Sequence, residues 1–159
     1  MNTIWLLKTE PDTFSLQDLQ ACPNGTTGWD GVRNYQARNR LRDEMREGDT
    51  VLIYHSSCAV PAIVGEARVV SAPYPDPSQF DPDSPGHDSR STHDTPRWYQ
   101  VDIRYLSTFP QPLALKTLRE YAEFADMELV IRPRLSVQKV TERQYQMIQQ
   151  LCLPVNATA

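Results

Sequence analysis

Apolar residues along the chain fall into short runs of period two, interrupted by short runs of helical spacing. Residues 3–7 (TIWLL) are β-branched, aromatic and aliphatic, which predicts a first strand ending before Pro11, because proline cannot donate to a ladder. Ser15 followed by Asp18, with Phe14 and Leu19 placed as a hydrophobic staple, predicts a helix beginning at Leu16. The stretch from Cys22 to Asp30 is rich in Pro, Gly, Asn and Thr and reads as loop. A second helix is predicted over about Tyr35 to Arg46, burying Leu41 and Met45 and closing at Gly48.

Strands then dominate. Residues 50–55 (TVLIYH) and 62–71 (AIVGEARVVS) have strand composition, and residues 98–106 (WYQVDIRYL) alternate strictly, as a strand with one wet face does. Between them, residues 72–97 hold six of the thirteen prolines and five aspartates with few apolar anchors, which predicts a long surface loop serving as lid or rim. Leu115, Leu118 and Ala122 predict a helix over 112–122, residues 135–140 a further strand, and Thr141 with Gln144 caps a final helix with Tyr145, Ile148 and Leu151 on its apolar face. Strands and helices without regular βαβ alternation imply an α+β domain whose mixed or mostly antiparallel sheet curls into a small barrel. The length suits one domain, expected over 1–154, with a flexible tail at 155–159.

Composition narrows the function classes. The apolar run near the start is too short for a signal peptide or a membrane span, and the three cysteines stand at unrelated spacings as ordinary thiols, so a cytoplasmic protein without membrane contact is expected. The net charge of −4 carries no global field for nucleic acid, so any such binding must rest on a local patch. Lys8, Lys116 and Lys139 are the lysines, and the rest of the sixteen basic residues are arginine. Guanidinium groups suit phosphates and base edges, although genomic base composition produces the same bias.

The densest chemistry lies in residues 29–39 (WDGVRNYQARN). Trp29 is either a stacking wall for a base or a core tryptophan, and Asn34 either a helix cap or a ligand contact. Arg33, Arg38, Arg40 and Arg42 make this segment locally basic, but helical spacing scatters them over several faces. Tyr54, His55 and Ser56 end a strong strand, yet adjacent strand residues point to opposite faces, so His55 and Ser56 do not form a catalytic dyad. His87 and His93 among the loop aspartates fit no metal spacing. No P-loop, dinucleotide fingerprint or metalloprotease helix occurs; no catalytic residue, metal or cofactor is expected.

The successive blocks TIWLLKTEP (3–11), WDGVRNYQARNRLR (29–42), GDTVLIYHSS (48–57), IVGEARVV (63–70), YPDP (74–77) and RLSVQKV (134–140) resemble, in order, the signature blocks of the EVE domain family. Small departures are Lys139, where the family pattern has proline, and Ala62 in place of glycine after Pro61. The resemblance implies a PUA-like pseudo-barrel of five or six mostly antiparallel strands with flanking helices. It also implies non-catalytic binding of a modified base in DNA or RNA.

The family pocket would be lined from Lys8, Thr9, Glu10, Trp29, Val32, Arg33, Asn34, Tyr35, Tyr54, His55, Ser56, Arg134 and Ser136. Trp29 would be the wall with Tyr54 or Tyr35 opposite, Asn34 and Ser56 would read the base edge, and Arg33 or Arg134 would hold a flanking phosphate, with Val32 meeting a methyl group. Binding that depends on the captured base more than on the backbone would weaken only modestly with salt. Two other readings stay open. One is an amidohydrolase on a modified base or nucleoside, as in ASCH relatives, using Lys8, Thr9 and Glu10. The other is a protein-interaction module built on the proline-rich loop.

Overall fold

A computed structural model describes residues 2–153. β1 (Ile4–Thr9) lies between β3 (Thr50–His55), to which it runs parallel, and β8 (Val137–Val140), to which it is antiparallel. β4 (Ala62–Val69) continues the sheet beyond β3, followed by β7 (Asp102–Ala114) and β2 (Thr26–Gly28), all antiparallel, giving the order β2-β7-β4-β3-β1-β8. A separate two-stranded ladder joins β5 (Tyr74–Pro75) to β6 (Tyr99–Gln100). The α+β class and the mostly antiparallel curled sheet of six strands agree with the sequence reading.

Alternation along the strands divides the core in two. Trp5, Leu7, Val51 and Ile53 face a cluster completed by Leu16, Leu19, Trp29, Val32, Ala37 and Leu41, from α1 (Leu16–Ala21), α2 (Tyr35–Asn39) and the segments beside them. Ile4, Leu6, Leu52 and Tyr54 face the other cluster with Leu118, Leu129 and Ile148, from α3 (Leu115–Leu118), α4 (Glu128–Ile131) and α5 (Glu142–Cys152). Both capping boxes form, Ser15 with Asp18 and Thr141 with Gln144. Among the described residues no helix is long and apolar enough to cross a membrane; the tail 155–159 lies outside them.

β2 lies inside the stretch 22–30 that the sequence reads as loop, because Thr26–Gly28 pairs with β7, and three further elements depart from the sequence reading. The second helix is regular only to Asn39 and then widens into a π-turn over Arg40–Glu44, the Met45 amide donating to the Arg40 carbonyl at 2.9 Å. The wider turn still buries Leu41 and Met45 as expected, and it also buries Arg40, whose guanidinium clasps Glu128 at 2.6 and 2.9 Å. The helix expected over 112–122 is a single turn at α3, because β7 runs on to Ala114. Its register against β4 breaks between Ile63 and Gly65, and the stretch with Pro110 and Pro112 lies opposite that break, where few ladder donors are required. The loop 72–97 is less open than its composition suggests: it contains β5 and a 3₁₀ turn at Pro77–Phe80, and Asp76 and Gln79 within it are fully buried.

Two polar contacts fix the sheet's register. Asp49, only 2% exposed, accepts from Trp5 Nε1 at 2.9 Å and from the backbone amides of Thr3 and Arg46. At the far end of β3, His55 Nε2 accepts from the Leu16 amide at 3.1 Å, so neutral His55 caps the first turn of α1. Asp49→Ala leaves the buried Trp5 N–H without an acceptor. At roughly 1–3 kcal/mol for such a donor, it is expected to lower the urea midpoint clearly, with Asp49→Asn less damaging.

Burial holds the His55 imidazole below its usual range, so the folded state favours the neutral ring. That contribution is complete well above the unfolded value of about 6.5 and is lost as pH falls below it toward the depressed folded value. Denaturation midpoints at pH 7.5 and 5.5 should differ more for the native protein than for His55→Gln. Equal pH dependence in both would refute this role.

Candidate base-binding site

The loop that leads out of β2 builds the site. A Cβ at Gly28 would lie 2.3 Å from Gln100 Nε2, so a larger residue there would have to displace the Gln100 amide that donates to Tyr74. The Trp29 amide then donates to the Val101 carbonyl at 2.8 Å, turning the indole inward beneath the loop. Gly31 takes a φ of +84°, a conformation that favours glycine. Its amide donates to Asp76 Oδ2 at 2.8 Å. Trp29 meets Phe14 edge to face, the ring centroids 6.0 Å apart. Around this pair opens a cavity of about 280 Å³ lined by Thr9, Thr13, Phe14, Thr27, Gly28, Trp29 and Asp30. Clefts for drug-sized ligands are roughly 300–1,000 Å³, so this one suits a single heterocycle.

Of the residues expected at the site, Thr9 and Trp29 line this cavity. Trp29 is both core and wall: it is 8% exposed and belongs to the cluster under the sheet while one side faces the opening. Thr9 Oγ1 donates to the Phe14 carbonyl at 2.6 Å, holding the second aromatic wall in place, and the Ser56 amide and hydroxyl both donate to the Thr9 carbonyl. Val32 is buried beside Trp29 in the same cluster. Glu10 is exposed, and its carbonyl accepts from the Thr13 and Phe14 amides. Tyr54 belongs to the opposite core and does not face Trp29, because alternation along β3 turns it away. Tyr35 does not face Trp29 either; it stacks on Trp98 at 4.9 Å with Arg38 over its ring. Phe14 takes the position opposite Trp29.

A second depression of about 340 Å³ lies at the start of β8, lined by Asn34, Gln36, Arg132, Pro133, Arg134 and Leu135. The chain joins it to the Trp29 cavity through Gly31, Val32 and Arg33. Asn34 caps α2, its side-chain carbonyl accepting from the Ala37 amide at 2.9 Å. Lys8 Nζ donates to the Pro133 carbonyl and lies over the Tyr54 ring, and burial lowers its pKa. The Ser136 carbonyl accepts from the Lys8 amide, tying this edge to β1.

Arg33 is engaged within the protein: it donates to Asp76 at 3.0 Å, to Ser78, and to the carbonyls of Val32 and Gly86. Against the penalty of burial, hydrogen bonds from Ser78, the Gly31 amide and Arg33 hold the Asp76 carboxyl below its usual range. Asp76, in the YPDP stretch, is therefore the hub that clamps the proline-rich loop to the Trp29 segment. Sequence reading missed this partner of Arg33 because the two lie 43 residues apart. It likewise passed over Phe14, Thr13, Thr27 and Asp30 as lining residues. Phe14 was visible only as a staple, and Asp30 only as a neighbour of Trp29. Among the described residues no group of three or more His, Cys, Asp or Glu is placed to hold a metal ion.

The fold has counterparts among proteins of known sequence and structure. Human thymocyte nuclear protein 1 is 36% identical over 93% of this chain and 73% of its own length. A Pseudomonas putida protein of known crystal structure is 45% identical with a TM-score of 0.88, the match covering 93% of this chain and 98% of that one. The crystal structure of human THYN1 protein in complex with 5-methylcytosine-containing DNA matches with a TM-score of 0.90 at 36% identity, covering 94% of this chain and 97% of that one. An ASCH protein from Zymomonas mobilis shares the fold at a TM-score of 0.55 with 11% identity. The EVE domain profile matches residues 3–151, and this chain is a member of the EVE domain family.

Proposed function

We infer that this protein binds a modified nucleobase in nucleic acid without acting on it chemically. The observation that carries the reading is the single-heterocycle cavity lined by Trp29 and Phe14, in a protein 36% identical to human THYN1, which was crystallised with 5-methylcytosine-containing DNA. A base extruded from its stack enters the cavity that the two rings line and packs on the accessible side of Trp29, and stacking supplies most of the affinity. The Arg132 and Arg134 depression offers the flanking phosphate its contact. Pairing within the protein also favours a weak salt dependence: Arg33, Arg40, Arg42 and Arg97 each contact a carboxylate.

The amidohydrolase reading finds less support. Lys8 and Thr9 direct their side chains to backbone carbonyls of different segments, and Glu10 is exposed, so the three do not converge on one reacting centre. The reading as a protein-interaction loop is weakened by the same clamp that orders that loop, since deleting 76–95 would strip Arg33 of its side-chain partners.

Because Trp29 belongs to the core, its truncation to alanine would cost about 3–5 kcal/mol of stability, and Trp29→Leu is the cleaner probe. Loss of a stacking ring worth about 1–3 kcal/mol should weaken binding of an oligonucleotide carrying 5-methylcytosine by about 5- to 150-fold. Trp29→Phe should lie between. Undiminished affinity in a folded Trp29→Leu protein, or product formation from the bound base by the native protein, would sink the reading. Arg134→Ala should weaken oligonucleotides of all sequences alike and reduce the slope of log K against log salt by about 1. It should leave binding of the free nucleoside unchanged.

A further inference from the structure

Two stacked rings, Tyr35 and Trp98, have their centroids 4.9 Å apart. Tyr35 is 46% exposed, so the stack reaches the surface. Three guanidinium groups gather on it: Arg33 lies over Trp98 at 5.5 Å, Arg97 over Tyr35 at 5.6 Å, and Arg38 over Tyr35 at 4.8 Å and Trp98 at 6.0 Å. A fourth, Arg42, covers Tyr99 at 5.8 Å. Three carboxylates pair with these cations, and each is taken: Asp76 by Arg33, Asp88 by Arg97 and Asp43 by Arg42. Asp88 is shared further with Arg90 and with Trp98 Nε1.

Arg38 is left over. It donates to the Asn39 side-chain carbonyl at 3.0 Å and to the Arg97 carbonyl at 2.6 Å, both neutral acceptors, and no carboxylate among the described residues pairs with it. Burial first, and then the neighbouring charge of Arg42, hold its pKa below the ordinary value, with Tyr35 and Asp43 offsetting this in part. A planar cation held against aromatic rings keeps its donors in one orientation, which suits a phosphate and limits the entropy lost on contact.

Arg38 belongs to α2, the helix whose cap Asn34 and residue Gln36 line the depression with Arg132 and Arg134. We propose that Arg38 is a second phosphate anchor, besides Arg134, for the strand that carries the captured base, so that this strand passes across α2 from one cationic station to the other. The proposal rests on the base-binding reading and adds to it the course of the backbone.

The probes are a short single-stranded oligonucleotide with one central 5-methylcytosine and the free nucleoside 5-methyldeoxycytidine. Affinities over a range of salt concentrations are measured for the native protein, Arg38→Gln, Arg38→Lys, Arg134→Ala and the double variant, with folding checked by thermal melting. Arg38→Gln should weaken the oligonucleotide severalfold and lower the slope of log K against log salt by about 0.7 to 1, with nucleoside affinity unchanged. Arg38→Lys keeps the charge and should keep most of the slope. The double variant should lose about twice the slope of either single one, because two separate phosphates are released.

An unchanged slope in Arg38→Gln, or an equal loss of nucleoside affinity, overturns the proposal, since a side chain that merely braces the loop acts through the cavity or not at all. A double variant with the slope of Arg134→Ala does the same. The base-binding reading survives those outcomes if the nucleoside still binds and Trp29→Leu weakens it. That reading fails if the native protein binds the same oligonucleotide equally well with unmodified cytosine, a result that leaves the effect of Arg38 on the slope standing.

Discussion

A strand buried on both faces has to satisfy two cores at once, and the parallel pair of β1 and β3 sits under that constraint along its four central positions. Trp5, Leu7, Val51 and Ile53 fill one side and Ile4, Leu6, Leu52 and Tyr54 the other, so a slip of one residue would exchange the two sets and ruin both. The register is held at one end by Asp49 on the Trp5 indole and at the other by the pairing of Thr9 with His55. That second end carries the site. Thr9 positions the Phe14 carbonyl, and His55 accepts from Leu16 just after it, so the aromatic wall hangs from the ends of two central strands. Walls built on such a frame are fixed before a ligand arrives, which limits the ordering cost of binding.

Much of this was legible in the order of residues, and the part that was not has a common physical cause. Capping boxes are local, so Ser15 with Asp18 and Thr141 with Gln144 could be read directly. The strands with strong alternation could be read as well. β2 could not, because Thr26, Thr27 and Gly28 have no apolar pattern and become a strand only by pairing with β7. Nor could the length of β7, whose Pro110 and Pro112 argue against a strand until the break in the β4 register is known. The site followed the same rule. Trp29 stood out from its own neighbours, whereas its partner Phe14, the Asp76 contact of Arg33 and the turning away of Tyr54 depend on chain segments brought together only by folding.

Electrostatics separate what anchors the protein from what meets a ligand. The arginine-rich composition suggested a phosphate surface, yet several guanidinium groups are tied to carboxylates and act as structural braces: Arg33 to Asp76, Arg40 to Glu128, Arg97 to Asp88. The bidentate fork of arginine suits this work, because one side chain can grip a carboxylate and backbone carbonyls together. Arg40, the first residue of the π-turn, holds both Glu128 and the Val137 carbonyl and so links that turn to α4 and β8. An acidic protein can thus be arginine-rich without presenting a uniformly positive face.

The clamp at Asp76 has a consequence for how such a site diversifies. One buried carboxylate grips the Gly31 amide, two residues from Trp29, and also the side chain of Arg33. The proline-rich loop and the mouth of the cavity therefore move as one mechanical piece, like a frame and its hinge plate. Changes of length or sequence beyond Asp76 can reset the aperture while every residue that touches the base stays the same. Two proteins with identical cavity linings can in this way admit bases of different bulk, the difference being carried by a segment that never meets the ligand.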